Sequence, residues 1–269
     1  MSRRLLIRIV PIVIAGLVVF FQFFSAEKVT NEAGRTARYA LSTEQEKTLG
    51  LQSYQQVLSE AQTVTSGPEF ELVRGVARRL AAATGETKDK FDWQVSVVRS
   101  PQINAFCLPG GKIVVYTGII PVAKTETGLA VVMGHEMAHA TLRHGSERLL
   151  RQKATQTLMT GAQFSMGDMS YEQQRAVMAA LGAGAQYGLL LPFSRDHESE
   201  ADAVGLRYMA RAGYDPRESV EFWKRMGEAT ARSGGKPPEF MSTHPSDTTR
   251  IENLKRLLPA ALEEYRRVQ

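Results

Sequence analysis

Residues 131–144 read VVMGHEMAHATLRH, and inside them lies His135-Glu136-Met137-Ala138-His139. Two histidines four apart fall on one face of a helix, one turn above each other. That spacing lets both imidazoles reach one metal ion. It also leaves the glutamate beside the first histidine in reach of a water at that ion, as a general base. The preceding residues, Leu129 to Met133, are all apolar, so this helix is expected to be largely buried. Buried histidine and glutamate cost several kcal/mol without partners, and a metal is such a partner. The competing reading, two histidines and a glutamate on a solvated helix face, leaves the apolar run unexplained.

A catalytic zinc takes three protein ligands and keeps a fourth position open. The candidate third ligand lies in Ser194-Arg195-Asp196-His197-Glu198-Ser199-Glu200-Ala201-Asp202. Glu198 and Asp202 are four apart and share one helical face. Glu198 is placed to ligate, and Asp202 to orient a ligating histidine. An acidic helix start favoured by the N-terminal dipole is the alternative for this stretch taken alone.

These motifs, followed by Ser242-Thr243-His244-Pro245 with Arg250-Ile251, resemble the zinc metallopeptidases related to HtpX, BepA and the CAAX prenyl protease. The resemblance runs over roughly residues 35–258. It implies one zinc ion per chain, held by His135, His139 and Glu198, with Glu136 as the base. Glu200 is then not a ligand, and Asp202 is the family's second acidic residue. His244 faces the cleft, to stabilise the oxyanion or to occupy the open zinc position and hold the enzyme inactive. Arg250 holds a carboxylate or binds the substrate carbonyl. The implied fold is α+β and mostly helical, a gluzincin-like domain with a small sheet beside the HExxH helix. The implied activity is endoproteolysis of unfolded or damaged envelope proteins. A membrane-anchored chaperone-like or binding protein is the alternative, its zinc structural or latent and His244 its fourth ligand.

Residues 103–108 and 112–116 flank Pro109-Gly110-Gly111 and read as a β-hairpin. The resembling family has a similar hairpin lining its cleft, and a peptide can pair with such an edge as an added strand. Asn104, Ala105 and Phe106 are therefore candidate substrate-binding residues, beside the alternative that the hairpin is purely structural. The lone cysteine, Cys107, excludes an intrachain disulfide and reads as a packed apolar residue.

At the N-terminus, Arg3, Arg4 and Arg8 precede an apolar run of 16 residues, Ile9 to Phe24, broken only by Gln22. This is a signal anchor or a signal peptide over residues 1–26. Phe24 is bulky at the −3 position of a cut after Ala26, which favours the anchor. Positive charge before the run places residues 25 onward outside the cytoplasm. The expected location is the bacterial inner membrane with the catalytic domain facing the periplasm, or the periplasm if the segment is cleaved. A net charge of +5 fits work near anionic lipid. Without basic runs interleaved with aromatics, nucleic acid is not an expected partner. Oligomeric state is not readable.

Residues 27–41 are polar and read as a linker, and 42–269 as the peptidase domain. Residues 154–172, rich in Gln, Thr and Met, suggest a mobile loop or gate. Ala176 to Phe193 is apolar and rich in small residues; its 18 residues reach the lower limit for a second membrane span, but its glycines and Gln186 favour a helix packed against the active-site helix. His144, five residues after His139, turns away from the metal face to the surface or to a supporting position. Ser233 to Pro238 reads as a loop, and Ser246 or Asp247 as the cap of the helix carrying Arg250.

Overall fold

The computed structural model describes residues 3–167, 169–186, 190–232, 238–244 and 248–269. In chain order its helices and strands are α1 (Arg3–Ser25), β1 (Glu27–Thr30), β2 (Thr36–Tyr39), α2 (Thr43–Glu60), β3 (Thr63–Val64), α3 (Pro68–Thr84), β4 (Gln94–Val98), β5 (Ala105–Leu108) and β6 (Lys112–Tyr116). They continue with α4 (Ile120–Ala123), α5 (Glu126–Thr141), α6 (His144–Ser165), α7 (Tyr171–Ala185), α8 (Leu191–Arg211), α9 (Glu218–Arg232), α10 (Glu239–Thr243) and α11 (Thr248–Arg266). Two compact units divide them: Met1–Ser42 with His144–His197, and Thr43–Arg143 with Glu198–Gln269.

The larger unit is layered around α5. The Thr125 side chain accepts from the Gly128 N–H and caps the start of this helix. Its residues Leu129 to Ala138 are all buried, histidine and glutamate included. Val73, Val76, Ala77 and Leu80 of α3 recur at helical spacing and bury one stripe in the same core. Val97, Ile113 and Val115 join it from the sheet, and Phe222, Trp223 and Phe240 from α9 and α10. Full burial of a side chain of this size stabilises by about 1.5–3 kcal/mol.

The sheet has the order β3-β4-β6-β5, so β5 is an edge. β5 and β6 form the antiparallel hairpin, whereas β4 and β6 run parallel. The Tyr116 N–H donates to the Asn104 carbonyl and the Gly111 N–H to that of Leu108. Even-numbered residues of β5 therefore bond to β6, and the backbone groups of Ala105 and Cys107 point to the free edge.

α5 and α8 meet where neither has a side chain. A Cβ on Gly205 would lie 3.0 Å from the His135 backbone nitrogen, and one on Gly134 3.2 Å from the Gly205 carbonyl oxygen. The two helices thus touch backbone to backbone, one residue from the first histidine.

The smaller unit is a different construction. The stretch expected as a linker forms the antiparallel pair β1–β2, tied to α6 by hydrogen bonds from the Ala40 and Leu41 N–H groups to Ser146. The mobile loop expected at 154–172 is instead helical through Ser165, with α7 starting at Tyr171 after a capping box at Ser170. Gln and Met are good helix formers, and α6 gains a partner in α1, to which it presents Gly161. The buried helix expected from Ala176 is exposed: α7 buries none of its side chains. Small residues gave it an apolar composition without the bulk that makes a core. His144 is not at the surface. It is 1% exposed and stacks on His197, ring centroids 3.9 Å apart. His197 Nε2 lies 3.1 Å from Glu147 Oε2, and Arg35 grips both Glu147 oxygens at 2.7 and 2.6 Å.

Among the described residues no helix is long and apolar enough to cross a membrane. α1 has 23 residues, Arg3–Ser25, with Pro11 inside it. Residues 187–189 of the expected apolar helix, the loop at 233–237 and the cap at 246–247 lie outside the described residues.

Candidate metal centre

Four side chains of the larger unit converge. His135 and His139 come from α5, Glu198 from α8, and His244 from the residue after α10. One ligand atom from each lies within 4.8 Å of all the others. His135 Nε2 and His139 Nε2 are 3.1 Å apart, and each is 3.3 Å from a Glu198 oxygen. His244 Nδ1 is 3.1 Å from Glu198 and 3.3 Å from His135 Nε2. Ligands about 2.05 Å from a tetrahedral zinc stand about 3.3 Å apart. The spacing and the three-imidazole, one-carboxylate donor set therefore fit that ion.

The surroundings demand positive charge there. Burial pushes the Glu198 carboxyl up, but hydrogen bonds from His135, His139 and His244 hold it far below the usual range. Burial and the Arg250 guanidinium push His135 down, yet bonds to Asp202 and Glu198 outweigh them and raise it to about 9. A buried carboxylate facing three imidazoles is stable only with a cation, whether proton or metal, among them.

A second layer fixes these groups. His135 Nδ1 lies 2.9 Å from Asp202 Oδ1. With Nδ1–H donating there, Nε2 turns its lone pair to the centre. Arg250 donates twice to Asp202, at 2.8 and 2.6 Å, and once to Glu198 at 3.3 Å. Its guanidinium carbon sits 3.4 Å over the Trp223 ring. Nothing in the sequence marks Trp223 as the platform for Arg250.

Glu136 is 4% exposed, and its Oε1 is buried without a hydrogen bond. Burial raises its carboxyl above the ordinary value, with His244 the leading counterweight. His244 Nε2 stands 3.3 Å from that Oε1. The carboxylate also accepts from the Cys107 backbone N–H, which places it against the free edge of β5. Of the three residues picked at this edge, only Ala105 turns its backbone outward; Asn104, just before β5, and Phe106 bond to β6. Two residues before the strand, the Ile103 carbonyl accepts from the Phe240 N–H of α10, the short helix that leads to His244. The sequence offered no signal for the contacts at Cys107 and Phe240.

A helix with two histidines one turn apart and a glutamate beside the first, met by a glutamate from a later helix with an aspartate one turn on, is the arrangement of a gluzincin-type metallopeptidase. Residues 69–258 match the model of Peptidase family M48, and the chain belongs to that family of metalloendopeptidases. It is 35% identical over 253 residues to the mitochondrial metalloendopeptidase OMA1 of Schizosaccharomyces pombe, covering 93% of this chain and 71% of the relative. It is 30% identical over 256 residues to the human mitochondrial metalloendopeptidase OMA1, covering 92% of this chain and 49% of that one. It is 28% identical over 233 residues to the beta-barrel assembly-enhancing protease of Yersinia pestis, covering 86% and 47%. The chain thus spans about half the length of two of these relatives.

Proposed function

We propose that this protein is a membrane-associated zinc endopeptidase that hydrolyses peptide bonds in unfolded or damaged envelope proteins, and that His244 holds its resting site closed. The observation that carries the reading is the buried, unbonded Oε1 of Glu136 beside four converging ligands. Zinc held by His135, His139 and Glu198 supplies Lewis acidity and acidifies a water at neutral pH. Glu136 accepts the proton of the attacking water and delivers it to the leaving amine. Its raised pKa suits both steps, since the acid formed must give the proton up again. Ala105, with its N–H and carbonyl on the free edge, pairs with the substrate backbone as an added strand, next to the base. An extended segment is needed for such pairing, which favours unfolded substrates.

His244 blocks this arrangement from two sides. Its Nδ1 sits at ligand distance from Glu198 and His135, and its Nε2 faces Glu136. With zinc bound it would take the fourth ligand position, and its Nε2 would stand between the base and a water. Displacing it opens both together. Arg250 keeps Asp202 charged and also donates to Glu198. Membrane association rests on the basic residues and apolar run of α1, and a bacterial envelope location facing the periplasm follows from their order.

The test is cleavage of casein by the full chain in detergent, loaded with zinc. The reading expects cleavage abolished by chelation and faster in His244→Ala. Zinc-loaded protein that leaves casein intact in both forms would favour the binding-protein alternative, with a closed structural site.

A further inference from the structure

We infer that Arg35, Glu147 and His197 are positioning residues for the third metal ligand: together they fasten α8 at the residue before Glu198. This rests on the proposed role of Glu198 as a zinc ligand and adds what holds it in place.

The chain reaches Glu198 along a loosely held stretch. Among the described residues from 167 to 196 none is buried, and His197 is the first that is. Segments with few buried contacts open locally at little cost. Zinc–ligand distances hold to within about 0.2 Å, so a ligand that shared in such opening would hold the ion poorly. The loose stretch has to stop before the ligand, and His197 is the residue in place to stop it.

His197 is held in two directions. In the plane of its ring, Nε2 lies 3.1 Å from Glu147 Oε2. An ionised carboxylate only accepts, so Nε2 carries the proton and donates. On its face the ring stacks on His144, the first residue of α6, 5° from parallel. Glu147 is buried too, and Arg35 takes one of its oxygens with each terminal nitrogen. Such a two-pronged pair fixes orientation as well as charge. Arg35 is presented by a closed turn: its N–H donates to the Asn31 side chain at 3.0 Å, and its carbonyl accepts from the Asn31 N–H at 2.9 Å. Further along the same hairpin, Arg38 donates to the Phe23 carbonyl of α1 at 2.6 Å. The β1–β2 hairpin is thus a strap from the end of α1 to the ring that precedes Glu198.

Stability alone does not account for this cluster. A buried ion pair is on balance a weak stabiliser, and apolar side chains of the same volume often do as well. What apolar side chains do not supply is a single orientation for one ring.

Arg35 is the place to test the strap, because its side chain is 32% exposed and its removal leaves no hole in a core. Arg35→Met, Glu147→Gln, Gly161→Leu and Glu198→Ala are compared with the wild type as full chains in detergent. Zinc affinity is measured by competition with a chelator, and the visible bands of the cobalt-substituted proteins report ligand geometry. The inference expects Arg35→Met to lose about 10-fold in zinc affinity, the lower end of the effect of removing a group that holds a metal ligand, with its cobalt bands shifted. Glu147→Gln takes the charge from the other side of the pair and should move both readings the same way. Gly161→Leu disturbs the same unit at the α1–α6 seam and should match the wild type in both. Affinity or bands unchanged in both Arg35→Met and Glu147→Gln overturn the inference. An equal loss in Gly161→Leu also overturns it, since the effect would then be one of general stability. Zinc retained by Glu198→Ala would instead sink the ligand assignment itself, whereas zinc lost there but unmoved in the two strap variants sinks only the positioning.

Discussion

The two units bury their apolar residues in opposite ways. The larger one surrounds α5 with helices and sheet until two histidines and a glutamate have almost no water. The smaller one joins α1 and α6 along a single seam and leaves Phe20, Phe21, Phe24, Phe164 and Leu181 outside. The comparison teaches where chemistry can be built. A carboxyl is raised, as at Glu136, or driven far down, as at Glu198, only where packing excludes solvent and fixes its partners. Among its described residues the smaller unit brings together one comparable cluster, Arg35, Glu147, His144 and His197.

The sharpest way to break this contrast is Glu136→Gln. Cleavage should fall by about 10²–10⁴-fold, the range of a lost general base, while zinc content and thermal unfolding stay the same. Because burial raises the Glu136 carboxyl, the acid limb of wild-type activity should lie above the ordinary carboxylate value and vanish in the variant. Asp202→Asn comes next. It removes the charge that orients His135, and zinc affinity measured by competition with a chelator should drop about 10–100-fold.

A glycine pair then compares the two interiors directly. Gly205→Leu forces a side chain against the His135 backbone and should cost about 1–3 kcal/mol of stability, with zinc weakened as well. Gly161→Leu should disturb only the α1–α6 seam, and zinc affinity should not change. Calorimetry with a zinc titration checks both. Smallest is a pH effect in the smaller unit. Burial raises Glu147, but Arg35 and His197 outweigh it and lower the carboxyl to about 2 from 4.5. A lowered folded value means the stabilisation is complete above about 4.5 and is lost as pH falls through about 2. Glu147→Gln should therefore lower the melting temperature at neutral pH and match the wild type near pH 2.

Much of the active-site face was legible because its spacing is chemical. His135, Glu136 and His139 declare a helix face, Glu198 and Asp202 another, and the Pro109-Gly110-Gly111 turn declares a hairpin. What the chain hid was of two kinds. Long-range partners carry no local signal, so the parallel β4–β6 pairing, Trp223 under Arg250 and the Cys107 contact to Glu136 appear only once the chain is folded. Composition also misled in the smaller unit. Gln, Thr and Met in residues 154–172 suggested a loop but are tolerated in helices. Ala and Gly in α7 suggested burial but supplied too little side chain to make a core.

Metal content of Glu198→Ala beside the wild type tests the central claim most directly, because the proposal makes that carboxylate the third ligand beside His135 and His139. The account predicts one zinc per wild-type chain after dialysis and almost none in the variant, with both chains folded. Zinc retained at one per chain by Glu198→Ala would contradict it and would place the ion somewhere other than between α5 and α8.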